Sequence, residues 1–176
     1  MSRGFVKEED QEEPIFVPPR AALPPGETNY VTPTGLRLLE KEKSDLLAQR
    51  LSLDIEDENE LRRETALLDG KIALVSDRIH SARVIDPADQ PRDEVRFGAV
   101  VTYVQGEDTP TKTFQIVGVD EADIKAGKVA FAAPVARALT GARVGEEVTL
   151  RLGGEERTLR VVDISYPDPE DEDGDN

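Results

Sequence analysis

The sequence predicts an α+β protein: an N-terminal antiparallel helical hairpin of the coiled-coil kind, then a small antiparallel sheet with one short helix. Three observations carry this. No proline occurs between Pro33 and Pro87, and apolar residues recur there at helical spacing. After Asp86-Pro87 the pattern changes to short β-type runs separated by glycine turns. Proline and acid crowd the two ends, where neither pattern persists.

The 176 residues hold 22 Lys and Arg against 37 Asp and Glu, a net charge of −15. So acidic a chain is a poor general binder of nucleic-acid backbone. Any contact with DNA is therefore expected to be indirect, through a protein or a local patch. With no Cys and one His, disulfides, thiolate zinc sites and His-rich metal centres are excluded. No apolar run reaches the ~20 residues of a membrane span, and the N-terminus lacks a signal-type apolar core. A cytoplasmic protein is expected.

Residues 1–31 read as an extended or disordered arm, because six of the 12 prolines precede Leu36. Ile15-Phe16-Val17 is its one apolar stretch and a candidate for docking on the body or on a partner. Residues 167–176 carry six acids and no base, and read as a disordered solubilising tail.

Residues 32–86 form the hairpin. Thr32 and Pro33 suit an N-cap and first helical position. Leu61, Leu68, Ile72, Val75, Ile79 and Ala82 follow 4–3 spacing, with Thr65 in the one gap, and make an a/d seam. Leu36, Leu39, Leu46, Leu47, Leu51, Leu53 and Ile55 form a less regular stripe, with Lys43 and Arg50 beside it. Helices over 34–56 and 59–83 are predicted, each about 30–36 Å long at 1.5 Å per residue. The hairpin covers its own seam, so a monomer is expected. His80 lies one place past seam residue Ile79 and reads as a solvated side chain.

Between the helices lies Asp54-Ile55-Glu56-Asp57-Glu58-Asn59-Glu60, five acids in seven residues. Helix capping and dipole compensation account for some of them. The remainder repel one another unless a cation or a basic partner surface meets them. Carboxylates on adjoining turns can share one Mg²⁺, which takes few protein carboxylates and keeps its waters. Arg62, Arg63, Lys71, Arg78 and Arg83 on the second helix are candidates for guiding RNA, or for pairing with acids of the first helix.

Residues 87–166 form the sheet domain. Strands are predicted over 97–104, 113–119, 128–131, 147–152 and 158–164. Gly106-Glu107-Asp108 and Gly153-Gly154 are hairpin turns, and 134–140 is a short helix ended by Gly141. No phosphate loop, nucleophile set or metal-ligand spacing occurs here.

This domain resembles that of the GreA/GreB family of transcript-cleavage factors. The matching segments are Phe97-Gly98-Ala99-Val100-Val101, Ile116-Val117-Gly118-Val119-Asp120-Glu121-Ala122-Asp123 and Ala133-Pro134-Val135-Ala136-Arg137-Ala138-Leu139-Thr140-Gly141. Val144-Gly145-Glu146-Glu147-Val148, Gly153-Gly154-Glu155 and Ile164-Ser165-Tyr166 follow in the family's order. Upstream, Tyr30-Val31-Thr32-Pro33-Thr34-Gly35, Gly70-Lys71-Ile72 and Ala82-Arg83-Val84-Ile85-Asp86 are similar to the family's helix start, second helix and exit.

The resemblance implies an antiparallel coiled coil followed by an FKBP-like domain. It implies that the sheet domain docks at the rim of the RNA polymerase secondary channel, with Asp120, Glu121, Asp123, Pro134 and Arg137 as partner-binding candidates. It also implies that the coil enters the channel and sets tip acids beside the polymerase's catalytic Mg²⁺, near the nascent RNA 3′ end. The polymerase then cleaves backtracked RNA, and the factor has no complete active site of its own. The family's tip reads Asp, apolar, any, Glu, Asn, any, Glu, aromatic. Asp54 matches the first acid. Asp57 stands where Glu is expected, and a shift of one puts Glu58-Asn59 on the family's Glu-Asn. Asp54 with Asp57 or Glu58 are thus the implied metal-holding residues, with Asp54 and Asp57 sharing the ion in the ungapped register. Leu61 replaces the aromatic, and Ala133 replaces a polar helix cap.

The coil is shorter than the family's by about ten residues per arm, or ~15 Å of reach. A non-cleaving channel binder that competes with cleavage factors is the alternative reading. A peptidyl-prolyl isomerase using an aromatic pocket from Phe97, Tyr103, Phe114, Phe131 and Tyr166 is a remote third.

Overall fold

The computed structural model describes residues 13–107 and 109–167. Strand β1 (Tyr30–Val31) leads into α1 (Pro33–Leu51), α2 (Glu58–Ser81) and β2 (Arg83–Val84). Thr32 caps α1: its side chain accepts the Gly35 N–H at 2.9 Å, and Pro33 occupies the first turn. The helices pack antiparallel. β1 and β2 pair as a two-residue parallel ladder at their base, Tyr30 with Arg83 and Val31 with Val84.

Leu39, Leu46, Leu68, Val75 and Val31 form the buried core of this half, with Leu36, Leu53, Ile72, Ile79 and Ala82 packed around it. Leu68, Ile72, Val75, Ile79 and Ala82 of the 4–3 set thus face α1 as their spacing predicts, while Leu47 and Leu51 of the irregular stripe are exposed, as is Leu38 outside it. Arg50 of α1 bonds Asp69 of α2. That is the reverse of the expected pairing between second-helix bases and first-helix acids.

The second half is a five-stranded sheet of β3 (Val100–Gln105), β4 (Lys112–Val117), β5 (Lys128–Ala130), β6 (Glu147–Leu152) and β7 (Glu155–Ser165). The order is β5-β4-β3-β7-β6. Helix α3 (Pro134–Leu139) packs on it. The core holds Val95, Val101, Ile116, Leu139, Leu159 and Val161 at 0–1% exposure.

The sheet is mixed, which corrects the antiparallel expectation: β4 and β5 run parallel. Their connection leaves the sheet at Gly118, turns back through a 3-10 turn at Ile124–Ala126 and re-enters at Lys128 beside Gln115, so that both strands run the same way. Such a reversal leaves no mark on a period-two pattern. β7 begins at Glu155 because the two-residue Gly153-Gly154 turn pairs Leu152 directly with Glu155. A bulge between Thr102 and Tyr103 shifts the β3–β7 register and leaves Val162 40% exposed.

Residues 13–29 form no helix or strand and turn once at Pro25-Gly26. The arm's first twelve residues, and 168–176 of the acidic tail, lie outside the described residues. Among the described residues no helix is long and apolar enough to cross a membrane.

Tyr166 anchors the end of β7. Its hydroxyl donates to the Glu94 carbonyl (2.6 Å) and accepts the Arg96 N–H (2.9 Å). Burial raises the pKa of Tyr166 and of Tyr103 above the ordinary 10.0. The folded chain therefore holds protons that the unfolded chain releases above that value. This contribution is full below pH 10.0 and is lost as pH rises through the folded values. The melting temperature is expected to fall above that pH, and to fall less steeply in a Tyr103→Phe variant. Equal alkaline slopes in melts of the two proteins would contradict the assignment.

Candidate functional site

The tip is built by the end of α1. Helix α1 stops at Leu51 rather than 56, because Ser52 closes it: its N–H reaches the carbonyls of Ala48 (3.1 Å) and Gln49 (3.2 Å). From there period two replaces 3.6. Leu53 and Ile55 are half-buried, with Leu53 against the helical core, while Asp54 and Glu56 stand exposed between them.

Asp57 then starts α2. Its Oδ1 accepts the Glu60 N–H at 2.8 Å and its carbonyl accepts the Leu61 N–H at 2.9 Å. Glu58 and Glu60 occupy the first turn, where acids oppose the helix dipole. Asp54 and Glu58 have no hydrogen bond or ion pair among the described residues, whereas Asp57 has one oxygen engaged by its cap. No three Asp, Glu or His side chains among the described residues are grouped to hold a metal. The tip therefore offers single carboxylates at the far end of the helical pair, and not a closed ion site.

The basic candidates of α2 separate onto different faces. Arg62 and Arg63 lie exposed beside Pro14, Ile15 and Phe16 of the arm, with Phe16 77% exposed. Arg62 donates to the Asn59 side chain at 3.5 Å. Lys71 is half-buried in a second depression with Pro18, Pro19 and Glu42. Nine residues of helix turn it half a circle from Arg62. Arg78 faces the sheet domain, and His80 and Arg83 are exposed.

The five partner-binding candidates also divide. Asp120 and Glu121 point inward, with side chains 7% and 2% exposed. Glu121 Oε2 accepts the Thr32 hydroxyl at 2.6 Å and Oε1 accepts Lys128 Nζ at 3.3 Å. The α1 start must come very close for this: a Cβ on Gly35 would lie 2.8 Å from Glu121 Oε2. Asp120 accepts Arg20 Nε at 2.9 Å and Arg78 Nη1 at 3.2 Å. Arg20 also forks onto Glu42 at 2.7 and 2.9 Å. Glu42 and Asp120 together raise the Arg20 pKa, so it stays charged despite partial burial. These acids join the two halves of the chain.

Asp123, Pro134 and Arg137 are exposed on the sheet half. Asp123 caps the 3-10 turn by accepting the Lys125 N–H at 3.0 Å. Pro134 opens α3, whose cap residue Ala133 makes no side-chain bond. Arg137 binds Glu27 at 2.9 Å over an open cleft of about 550 Å³.

That cleft holds a feature the sequence reading missed. Tyr30, Phe97 and Phe131 meet pairwise at 5.6–5.8 Å between ring centroids. Tyr30 falls within the residues expected as arm, and no local spacing links it to the other two. Tyr103 and Phe114, by contrast, are core, 5.7 Å apart.

Comparison with known proteins finds relatives of this chain. The family described as Transcription elongation factor, GreA/GreB, C-term matches residues 90–166. Transcription elongation factor GreA of Alkalilimnicola ehrlichii is 40% identical over 106 residues, 60% of this chain and 67% of that protein. GreA of Acidiphilium cryptum is 36% identical over 105 residues, again 60% and 67%. Among solved structures, GreA factor homologue 1 of Thermus thermophilus aligns over 79% of this chain and 99% of its own, at 22% identity and a TM-score of 0.37. A GreA/GreB factor from Nitrosomonas europaea aligns over 80% and 99%, at 20% identity and a TM-score of 0.39. By its sheet-domain match and its identity with these elongation factors, the chain belongs to the GreA/GreB family of transcription elongation factors.

Proposed function

We propose that this elongation factor binds RNA polymerase at its secondary channel and stimulates cleavage of backtracked RNA through the helical tip. The helical pair is the family's coiled coil in this reading, and the sheet domain its FKBP-like dock. The observation that carries the proposal is the tip itself: Asp54 and Glu58 are exposed and unengaged among the described residues, where α1 has ended and α2 begins.

Two carboxylates do not make a magnesium site alone, but they suit one that another protein completes, since Mg²⁺ keeps most of its waters. Bound there, Mg²⁺ would supply charge neutralisation and a water of lowered pKa. Asp54 and Glu58 contribute negative charge and acceptors that orient that water. Asp57 holds α2 in place beneath them. Catalysis belongs to the polymerase, and the factor acts through it.

A second reading rests on helix length. α1 has 19 residues and α2 has 24, so the tip stands about 28–36 Å from the base. A factor of this reach would occupy the channel without cleaving.

Variants separate the roles. Asp54→Asn and Glu58→Gln are each expected to slow cleavage of end-labelled backtracked RNA by about tenfold or more, or ~1.4 kcal/mol of barrier, with polymerase binding unchanged. Asp57→Asn keeps a good cap and should leave the melting temperature unchanged, whereas Asp57→Ala costs about 1 kcal/mol. Cleavage indifferent to both Asp54 and Glu58 would contradict the proposed tip.

A further inference from the structure

The arm segment 17–29 touches every part of the molecule that meets at the joint. Val17 lies on α2 where Gly70 leaves room: a Cβ there would sit 2.4 Å from Val17 Cγ2. Arg20, 16% exposed, forks onto Glu42 of α1 and reaches Asp120 of the sheet half with its Nε. Arg78 of α2 donates to the Ala21 carbonyl and to Asp120. Pro24 accepts the Glu27 N–H at 3.1 Å, turning the chain, and Glu27 then binds Arg137 of α3. Asn29 donates to the Arg78 carbonyl at 3.0 Å. Pro18-Pro19 stiffens the approach to Arg20.

From these contacts we infer that residues 17–29 form a strap that fixes the direction of the helical pair relative to the sheet, with Arg20 as its positioning residue. Without it, the side-chain hydrogen bonds between the helices and the sheet half are Thr32–Glu121 and Arg78–Asp120 among the described residues, and both fall on the adjacent residues 120 and 121. A single point of attachment allows rotation, and the strap supplies the second. A planar guanidinium shared by carboxylates from both halves sets an angle that a point charge would not. The lever makes the angle matter: a swing of about 10° at the base of a helix of 19 residues, ~28 Å long, moves the tip by about 5 Å.

The inference stands apart from the polymerase reading, because it is tested on the isolated full chain. The sequence has no cysteine, so Glu56→Cys and Glu147→Cys give two unique spin-label sites, both exposed and on opposite halves. The parent is expected to show one narrow distance distribution. Arg20→Ala should broaden it at least twofold with helical circular dichroism unchanged. Arg20→Lys should give an intermediate width, and deletion of residues 1–25 a width at least that of Arg20→Ala. Parental width in both Arg20→Ala and the deletion would overturn the strap. Loss of the folded state in either would overturn it too, since each half has its own core and a strap is not needed to form one.

Discussion

Glu121→Ala is expected to lower the unfolding free energy by about 2–3 kcal/mol, the range for losing a buried, charge-assisted hydrogen bond. Its carboxylate accepts the Thr32 hydroxyl at 2.6 Å and Lys128 at 3.3 Å, with 2% of the side chain exposed. Lys128 is 27% exposed and can recover water, which keeps the loss below that of a fully buried ion pair. The Thr32 hydroxyl is 1% exposed as a residue and cannot; it is left without an acceptor at the start of α1. Glu121→Gln keeps an acceptor for Thr32 and gives up only the charge, so about 1 kcal/mol is expected. Urea melts with a constant m-value measure both. A loss under ~0.5 kcal/mol for Glu121→Ala would mean that this bond does not hold the joint.

Leu159→Ala is expected to cost about 2–5 kcal/mol, the range for emptying a sealed leucine site. Leu159 is fully buried on β7 and pairs with Gln105 of β3 on one side and Val148 of β6 on the other. Neither neighbour can close the void without breaking a ladder. At ~2–4 °C per kcal/mol for a chain of this size, the melting temperature falls by roughly 5–20 °C. Ile124, 87% exposed at its turn, is the control: Ile124→Ala should stay within about 0.5 kcal/mol. Similar losses at the two sites would place the sheet core elsewhere.

Much of the fold was legible because it is local. The 4–3 spacing of Leu68, Ile72, Val75 and Ile79 named the face that α2 buries, and Thr32-Pro33 marked where α1 begins. Gly153-Gly154 located a hairpin to the residue. The tip acids were visible as composition, but their division was not. That Asp57 caps α2 while Asp54 projects depends on where α1 stops, and Ser52 decided this against an apolar stripe that continued to Ile55.

Contacts between distant segments were the illegible part. Arg20 lies 22 residues from Glu42 and 100 from Asp120, in a proline-rich stretch with no period to read. Asp120 and Glu121, expected on a docking surface, turned inward because that arginine, Arg78 and Thr32 come to meet them. The parallel β4–β5 pair and the Tyr30–Phe97–Phe131 cluster are products of topology in the same way.

The most direct test of the account adds the wild-type protein and Mg²⁺ to a stalled, backtracked RNA polymerase complex with end-labelled RNA. The account predicts rapid release of 3′ fragments over the uncatalysed background, abolished when Asp54→Asn and Glu58→Gln are combined. Absence of cleavage, with displacement of an authentic cleavage factor from the same complex, would contradict it and make this chain an occupant of the channel alone.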